Sequence, residues 1–355
     1  AIALTVGSLS MGKGSTQYHE DAGRNAIAKV EGYPSPFTRT GFGVDGMIKP
    51  ELVDFGGDFI LDRDRIIENE IGASAIVLAK NFQSGSLFKA YSGTSFSTPR
   101  VSNTATRLFS KYPDASSNLI RALSTNAAKL PKEIPKELQG NENKNNRIKI
   151  YGYGQTNFAQ AAYSTDNNVV LLVDNENIEI GNFKVNEIPA LPPEFLDTKG
   201  DRSISVCLAF DPPTKHTRGD SYLGVTMEFQ LFRNIDSEDL KAAFIKSTKE
   251  NQENSEEIAQ LTIDELKKKY GSSIIVNLQP GINLRKKGTL QKGKVNISSR
   301  SWKYDNQSMY LVVSCNRKWA KEDEIETQRY ALVISVSHSN PKIDLYNKIK
   351  VKNIK

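Results

Sequence analysis

The sequence predicts an α/β domain over residues 1–165 followed by an antiparallel β-sandwich over 166–355, with a helical insertion at about 236–270. Three observations carry that expectation. The chain opens on AIALTV, an unbroken apolar run of the kind that fills the middle of a parallel sheet covered on both faces. Apolar residues then recur twice at helical spacing between Ser95 and Lys129. After Thr165 the pattern changes to alternation, the period of strands with one face on a core and one in water. At 355 residues the chain is long enough for two domains that each bury a core of their own.

Taken in order, AIALTV is expected to be a strand that ends at a glycine turn and needs neighbours on both edges. A chain that starts there is expected to have lost the elements before it, and an N-terminal Ala without Met agrees with a fragment. Ile48 to Gly57 reads as a short extended segment closed by a glycine pair, and Asp54 to Tyr91 as irregular or hairpin structure around a strand over Ala75 to Leu78. A helix is expected from Ser95 to Lys111, with Val101, Ala105, Leu108 and Tyr112 on one stripe, stopped by Pro113. A second runs from about Ser117 to Lys129, with Leu119, Ile120, Leu123 and Ala127 on its apolar face and Ser116 or Ser117 as its cap. Leu130 to Arg147 carries two prolines and the tract NENKNN, so it reads as a solvated loop. Tyr151 to Ser164 reads as a glycine turn and a short helix.

In the second half, strands are expected at Val169 to Val173, Ile204 to Phe210, Val225 to Leu231, Tyr310 to Val313 and Tyr330 to Val336. In GVTMEFQLF, for example, Val225, Met227, Phe229 and Leu231 point one way while Thr226, Glu228 and Gln230 point the other. The inserted helices are expected over Ser237 to Ser247 and Ser255 to Tyr270. RKKGTLQKGK, from Arg285 to Lys294, reads as a basic hairpin in water; no aromatic residues interleave its lysines as they do in a nucleic-acid site.

Composition narrows the class of function. A net charge of +6 is small for this length and gives no case for a nucleic-acid partner. No apolar stretch reaches the roughly 18 residues of a membrane span, and the opening lacks the basic region and cleavage site of a signal peptide. Cys207 and Cys315 sit inside strand-like runs, not in a CxxC pair, and read as reduced core residues, which leans towards a cytoplasmic location. The carboxylates of the inserted helices have no regular ligand spacing, so neither a metal nor another cofactor is expected.

One stretch carries chemistry. In SGTSFSTP, residues 92–99, Ser95 stands where a loop becomes a helix, with Pro99 expected in the first turn. A hydroxyl there sits at the positive end of the helix dipole among N–H groups that have no helical partner, which suits a nucleophile that generates an oxyanion. Gly93 clears space for a substrate carbonyl, and Thr94 offers a second hydroxyl to the same hole. On the local pattern alone, a serine that merely caps the helix is the commoner reading.

SGTSFSTP resembles the nucleophile motif of the subtilisin-like serine proteases, the subtilases. AIALTVGSLS resembles that family's strand after the oxyanion region, and SPFTRTGFGVDGMIKPELVDFGG the stretch before its serine; IRALSTNAA and GYGQTNFAQAA resemble the segments that end its catalytic domain. Five landmarks in family order over about 165 residues identify the first domain as the C-terminal part of a subtilisin-like parallel-sheet catalytic domain. The resemblance implies an endopeptidase that cleaves polypeptides through an acyl-enzyme on Ser95, with the Ser95 backbone N–H and Thr94 at the oxyanion hole. It also implies an Asp, a His and an oxyanion-hole Asn that would precede Ala1, supplied by the missing N-terminal half of the domain or by a second chain. The chain alone is then expected to be inactive.

The departures from the family are specific. Of the three histidines, His19 lies in QYHEDAG, which does not resemble the family's histidine helix, and His216 and His338 fall in the second domain, where they read as surface residues. Arg100 follows Pro99 where the family usually has His, and Asn103 stands in place of a small glycine. Two alternatives stay open: a non-catalytic binding or structural protein on a subtilase scaffold, and a serine-carboxyl peptidase with Glu and Asp partners.

Overall fold

The computed structural model describes residues 3–12, 23–249, 255–298, 302 and 308–352; His19 lies outside them. The chain is mixed α/β and divides into two units. The first comprises Ala3–Asp114 and Ala127–Ala161; the second takes in Ala115–Asn126 and Ala162–Lys355.

In the first unit, β1 (Val6–Met11) runs parallel to β4 (Leu52–Phe55) and antiparallel to β3 (Glu31–Pro34). The strand begins later than the apolar run implies, so Gly7 lies inside it and not at a turn. Alternation along β1 separates two chemistries. Leu9 points into a cluster with Val53, Leu138 and Tyr151, while Ser8 and Ser10, one residue either side, are buried on the opposite face. A second small sheet joins β2 (Arg24–Ala26), β5 (Ile60–Asp62) and β6 (Arg65–Ile67). β7 (Ala75–Leu78) and β8 (Phe88–Tyr91) form a two-stranded hairpin.

Helix α1 (Thr94–Lys111) lies against β1 and β4 through Ser97, Val101 and Leu108, its buried stripe. It starts one residue earlier than expected, so Pro99 is an interior residue and not part of the first turn. A proline there has no N–H for the carbonyl four residues back, which is that of Ser95. The expected loop over residues 130–147 already turns helical at Lys144, where α3 (Lys144–Tyr151) begins. It ends at Gly152, whose φ of 55° belongs to glycine; a Cβ there would stand 2.1 Å from the Pro50 carbonyl oxygen. The close passage lets Tyr153 N–H donate to Glu51 O (2.8 Å) and Val53 N–H to Gly154 O (3.1 Å), strapping the chain beside β4.

The second unit is built on two antiparallel four-stranded sheets. One has the order β10 (Phe183–Ile188), β15 (Met309–Arg317), β12 (Val225–Phe232), β13 (Ile275–Val276); the other β14 (Leu290–Ile297), β11 (Arg202–Phe210), β16 (Thr327–His338), β9 (Asn168–Glu179). One hydrophobic cluster draws on both: Ile204, Val206, Leu208 and Phe210 of β11, Tyr330, Leu332 and Ile334 of β16, and Val225, Met227, Phe229 and Leu231 of β12. β12 alternates as its sequence spacing requires, with Thr226, Glu228 and Gln230 only half-buried. The inserted helices, Ser237–Lys249 and Ser255–Tyr270, fall between β12 and β13.

β11 differs, because both its faces are covered. Ser205, Cys207 and Ala209 alternate with the core residues and, with Ala331 and Ser335 of β16, form a flat seat of small buried residues. Helix α2 (Ser117–Asn126) occupies that seat. Ser116 caps it by accepting from Leu119 N–H (3.0 Å), and the Asp174 carboxylate holds Ser116 in turn. Asn126 accepts from Ser205 Oγ (2.7 Å) and donates to Ser335 Oγ (3.0 Å). Arg121, buried, donates to Asn118 Oδ1, Phe210 O and Thr289 Oγ1. These polar contacts fix the register of a helix whose ten residues would not be stable alone.

Two sequence readings are corrected in this unit. RKKGTLQKGK is not a solvated hairpin: Arg285 ends a short helix, buried over the Phe229 ring and donating to Phe229 O (2.7 Å), and the rest enters β14. His338 is not on the surface either; it is buried at the end of β16, where Nδ1 accepts from Asn340 N–H and Nε2 lies 3.2 Å from Thr198 O. His216 is exposed. Both cysteines are free and buried, and burial pushes each thiol up to about 12. No described helix is long and apolar enough to cross a membrane.

Candidate active site

Ser95 is exposed on the first turn of α1, and no hydrogen bond engages its hydroxyl among the described residues. The turn is closed by Phe96 N–H donating to Gly93 O (3.0 Å) and by the hydroxyls of Ser97 (2.8 Å) and Thr98 (3.0 Å), which both donate to Thr94 O. Gly93 is extended and stands as the N-cap without a side chain, so no capping oxygen competes for the first N–H groups. The first turn holds no acidic residue to neutralise the helix dipole. The N–H groups of an eighteen-residue helix are thus presented beside an unengaged hydroxyl.

A polar scaffold beneath the loop holds it in place. Gly93 N–H donates to Gly56 O at 2.9 Å, tying the serine loop to the residue that follows β4. Gly56 must be glycine for this: a Cβ would stand 2.6 Å from Gly93 O and 2.3 Å from Ser8 Oγ. At Gly93 itself a Cβ would meet nothing nearer than 3.8 Å, so packing among the described residues does not demand glycine there.

Ser92 Oγ donates to Asp58 O (3.0 Å) and shares a hydrogen bond with Ser74 Oγ (2.7 Å), and Ser92 N–H donates to Asn69 Oδ1 (2.9 Å). The Asp58 carboxyl, buried, accepts from Ser10 Oγ (2.5 Å), Ala28 N–H (3.1 Å) and Phe59 N–H (2.8 Å). Burial raises its pKa above the usual carboxylate value, against the lowering effect of those three donors. Ser35 bridges Ser8 Oγ (2.8 Å) and Gly57 O (2.6 Å). The buried serines of β1 thereby reach the DFGGD turn, and that turn reaches the serine loop.

On the outer side of the helix, Arg100 donates to Asp54 Oδ1 (2.7 Å), which also accepts from Gln155 (3.1 Å). The residue that stands where the subtilase motif has histidine is therefore spent on an ion pair within this unit. Asn103 is exposed. The described residues of the first unit contain no histidine, and no group of three or more metal-ligating side chains occurs among the described residues.

Of the residues singled out from sequence, Gly93, Thr94 and Ser95 thus lie together at one helix start. Gly56, Asp58 and Ser92, which hold that start in place, were missed. The available signal was DFGGD together with the alternating serines of VGSLSM.

Comparison with known proteins adds two findings that bear on the reading and one that does not. The subtilase family (Peptidase_S8) matches residues 2–154. The uncharacterized protein y4bN of Sinorhizobium fredii (strain NBRC 101917 / NGR234) is 32% identical over 354 residues, covering 98% of this chain and 76% of that protein. Among solved structures, a chain of the T13 IBDV viral particle covers 51% of this chain and 34% of its own length at 9% identity and a TM-score of 0.24, too low to bear on fold or function.

Proposed function

Because the chain belongs to the subtilase family, we propose that Ser95 is the nucleophile of a serine endopeptidase that cleaves peptide bonds through an acyl-enzyme. The observation that carries the reading is an exposed, unengaged hydroxyl on the first turn of a long helix free of acidic residues at that end. In the reaction Ser95 Oγ attacks the carbonyl carbon while a histidine, oriented by an aspartate, takes its proton; the peptide C–N bond then breaks and the histidine returns that proton to the leaving amine, leaving the acyl group on Ser95. The oxyanion forms beside the Ser95 N–H, with the Thr94 hydroxyl within the same turn. Gly93 leaves room for the substrate, a role that fits the open space its missing side chain would enter. The proposal assigns the histidine, the aspartate and an oxyanion-hole asparagine to polypeptide outside the described residues. Residues 1–165 are then the C-terminal part of the catalytic domain, and 166–355 a β-sandwich domain.

A fluorophosphonate probe applied to the protein in its natural full length tests this. Ser95 is expected to carry the label, and Ser95→Ala to abolish labelling and lower peptidase activity by at least about 10⁴-fold. Labelling elsewhere, or activity that survives the substitution, refutes it. The competing reading, a non-catalytic binding scaffold, is favoured by the Arg100–Asp54 pair and by the lack of histidine among the first unit's described residues. It expects Ser95 to react no faster than an ordinary serine.

A further inference from the structure

The hairpin of β7 and β8 leads directly into the serine loop, and its composition is unusual. Its face is apolar yet open to solvent: Leu78 (68% exposed) pairs across the strands with Phe88 (56%), beside Ile76. Phe82 and Leu87, in the loop between the strands, are exposed as well. With only two strands, each has an edge that no described strand covers.

The charge on and around the hairpin is one-sided. From Ile71 to Pro113 the sequence contains Lys80, Lys89, Arg100, Arg107 and Lys111 and no acidic residue. Arg100 is paired with Asp54, Arg107 lies over the Phe158 ring and Lys111 over that of Tyr112. Lys80 and Lys89 are exposed and have no partner among the described residues.

We propose that this hairpin is a docking strand for the polypeptide substrate, selecting chains that place apolar and acidic residues close to the bond cleaved at Ser95. The inference rests on the proposed function and adds a substrate class to it. Three arguments select this occupant. Uncovered strand edges offer backbone hydrogen bonds that an extended peptide satisfies. Apolar side chains alternating along the strands supply pockets, and unpaired lysines supply charge complementarity to an acidic residue. Reach sets the range: β8 ends four residues before Ser95, and at about 3.3 Å per residue Lys89 lies within about 20 Å of it along the chain. The preference therefore extends to about six substrate residues from the scissile bond.

Binding to the full chain, followed by fluorescence anisotropy, tests the inference without depending on catalysis. A labelled extended peptide with alternating Leu and Glu is expected to bind at least about tenfold more tightly than the same peptide with Lys for Glu. The double variant Lys80→Glu/Lys89→Glu is expected to reverse that order, Leu78→Ser/Phe88→Ser to weaken both peptides, and Ser95→Ala to change neither. Equal binding of the two peptides, or a preference indifferent to the charge reversal, overturns the inference. So does binding of the hairpin only to phosphatidylserine vesicles, or its burial in a dimer seen as a concentration-dependent mass. Failure of fluorophosphonate labelling at Ser95 with the peptide preference intact would instead overturn the peptidase reading and leave a peptide-binding hairpin.

Discussion

Replacing Gly56 by Ala adds one methyl group at the point where two loops meet. Its carbon would stand 2.6 Å from the Gly93 carbonyl oxygen, whereas ordinary contacts to a Cβ begin near 3.4 Å, so relief needs a shift of at least about 0.8 Å. The other close atom, Ser8 Oγ at 2.3 Å, is held by Ser35, and rotating it away breaks a buried hydrogen bond. The backbone of the serine loop therefore moves. Overpacking of this kind costs about 1–3 kcal/mol, and a displacement near 1 Å at a reacting group lowers reactivity about 100-fold. Both effects are measurable on one preparation, the first as the urea midpoint and the second as the rate of fluorophosphonate labelling in the full-length protein. Gly93→Ala provides the contrast, since its Cβ meets nothing nearer than 3.8 Å. That variant is expected to fold within about 1 kcal/mol of the parent and to label with a small probe, yet to cleave polypeptide more slowly. A Gly56→Ala protein that unfolds at the parent's urea concentration and labels at the parent's rate would show that Gly56 does not set the position of Ser95.

Two further outcomes follow from buried polar groups. Arg121→Met keeps most of the side chain's volume but removes the hydrogen bonds to Asn118 Oδ1, Phe210 O and Thr289 Oγ1, so the second unit is expected to lose about 2–4 kcal/mol by urea unfolding; a loss below about 0.5 kcal/mol would show that α2 is held by its apolar face alone. Asp58 has its folded pKa raised above 3.8 by burial, so the folded state holds its proton more tightly than the unfolded chain does. Its contribution to stability accordingly falls as pH rises from 3.8 through the folded value. Asp58→Asn is expected to flatten that part of a melting-temperature profile, and a variant profile parallel to the parent's would contradict the assignment.

The sequence carried the elements whose cause is local. The stripe Val101 and Leu108 marked α1, the alternation in GVTMEFQLF marked β12, and SGTSFSTP marked the turn that holds Gly93, Thr94 and Ser95. What stayed hidden depends on partners far along the chain. His338 and Arg285 are polar and looked solvated, yet carbonyl oxygens and rings from distant segments bury them. Glycine at residue 56 looked like a turn residue, whereas its reason is the approach of Gly93, which only the fold brings close. Residues 144–151 hold a helix whose weak amphipathic pattern gives no local sign of it; Tyr151 is fixed by the Leu9 cluster and by donation to Gly32 O.

The seat of α2 has a consequence for how the protein is made. The helix is synthesised early, but its partners on β11, β14 and β16 come later; Asn126 lies 209 residues ahead of Ser335 and Arg121 168 ahead of Thr289. At translation rates of about 5–20 residues per second the helix waits on the order of 10–40 seconds for the strand that completes its seat. During that interval the apolar face meant for β11 and β16 is open on the nascent chain, shortly after the helix that carries Ser95 on its first turn. A ribosome stalled before β16 therefore releases a chain in which the turn bearing Ser95 has been synthesised in full while the second unit has no closed core.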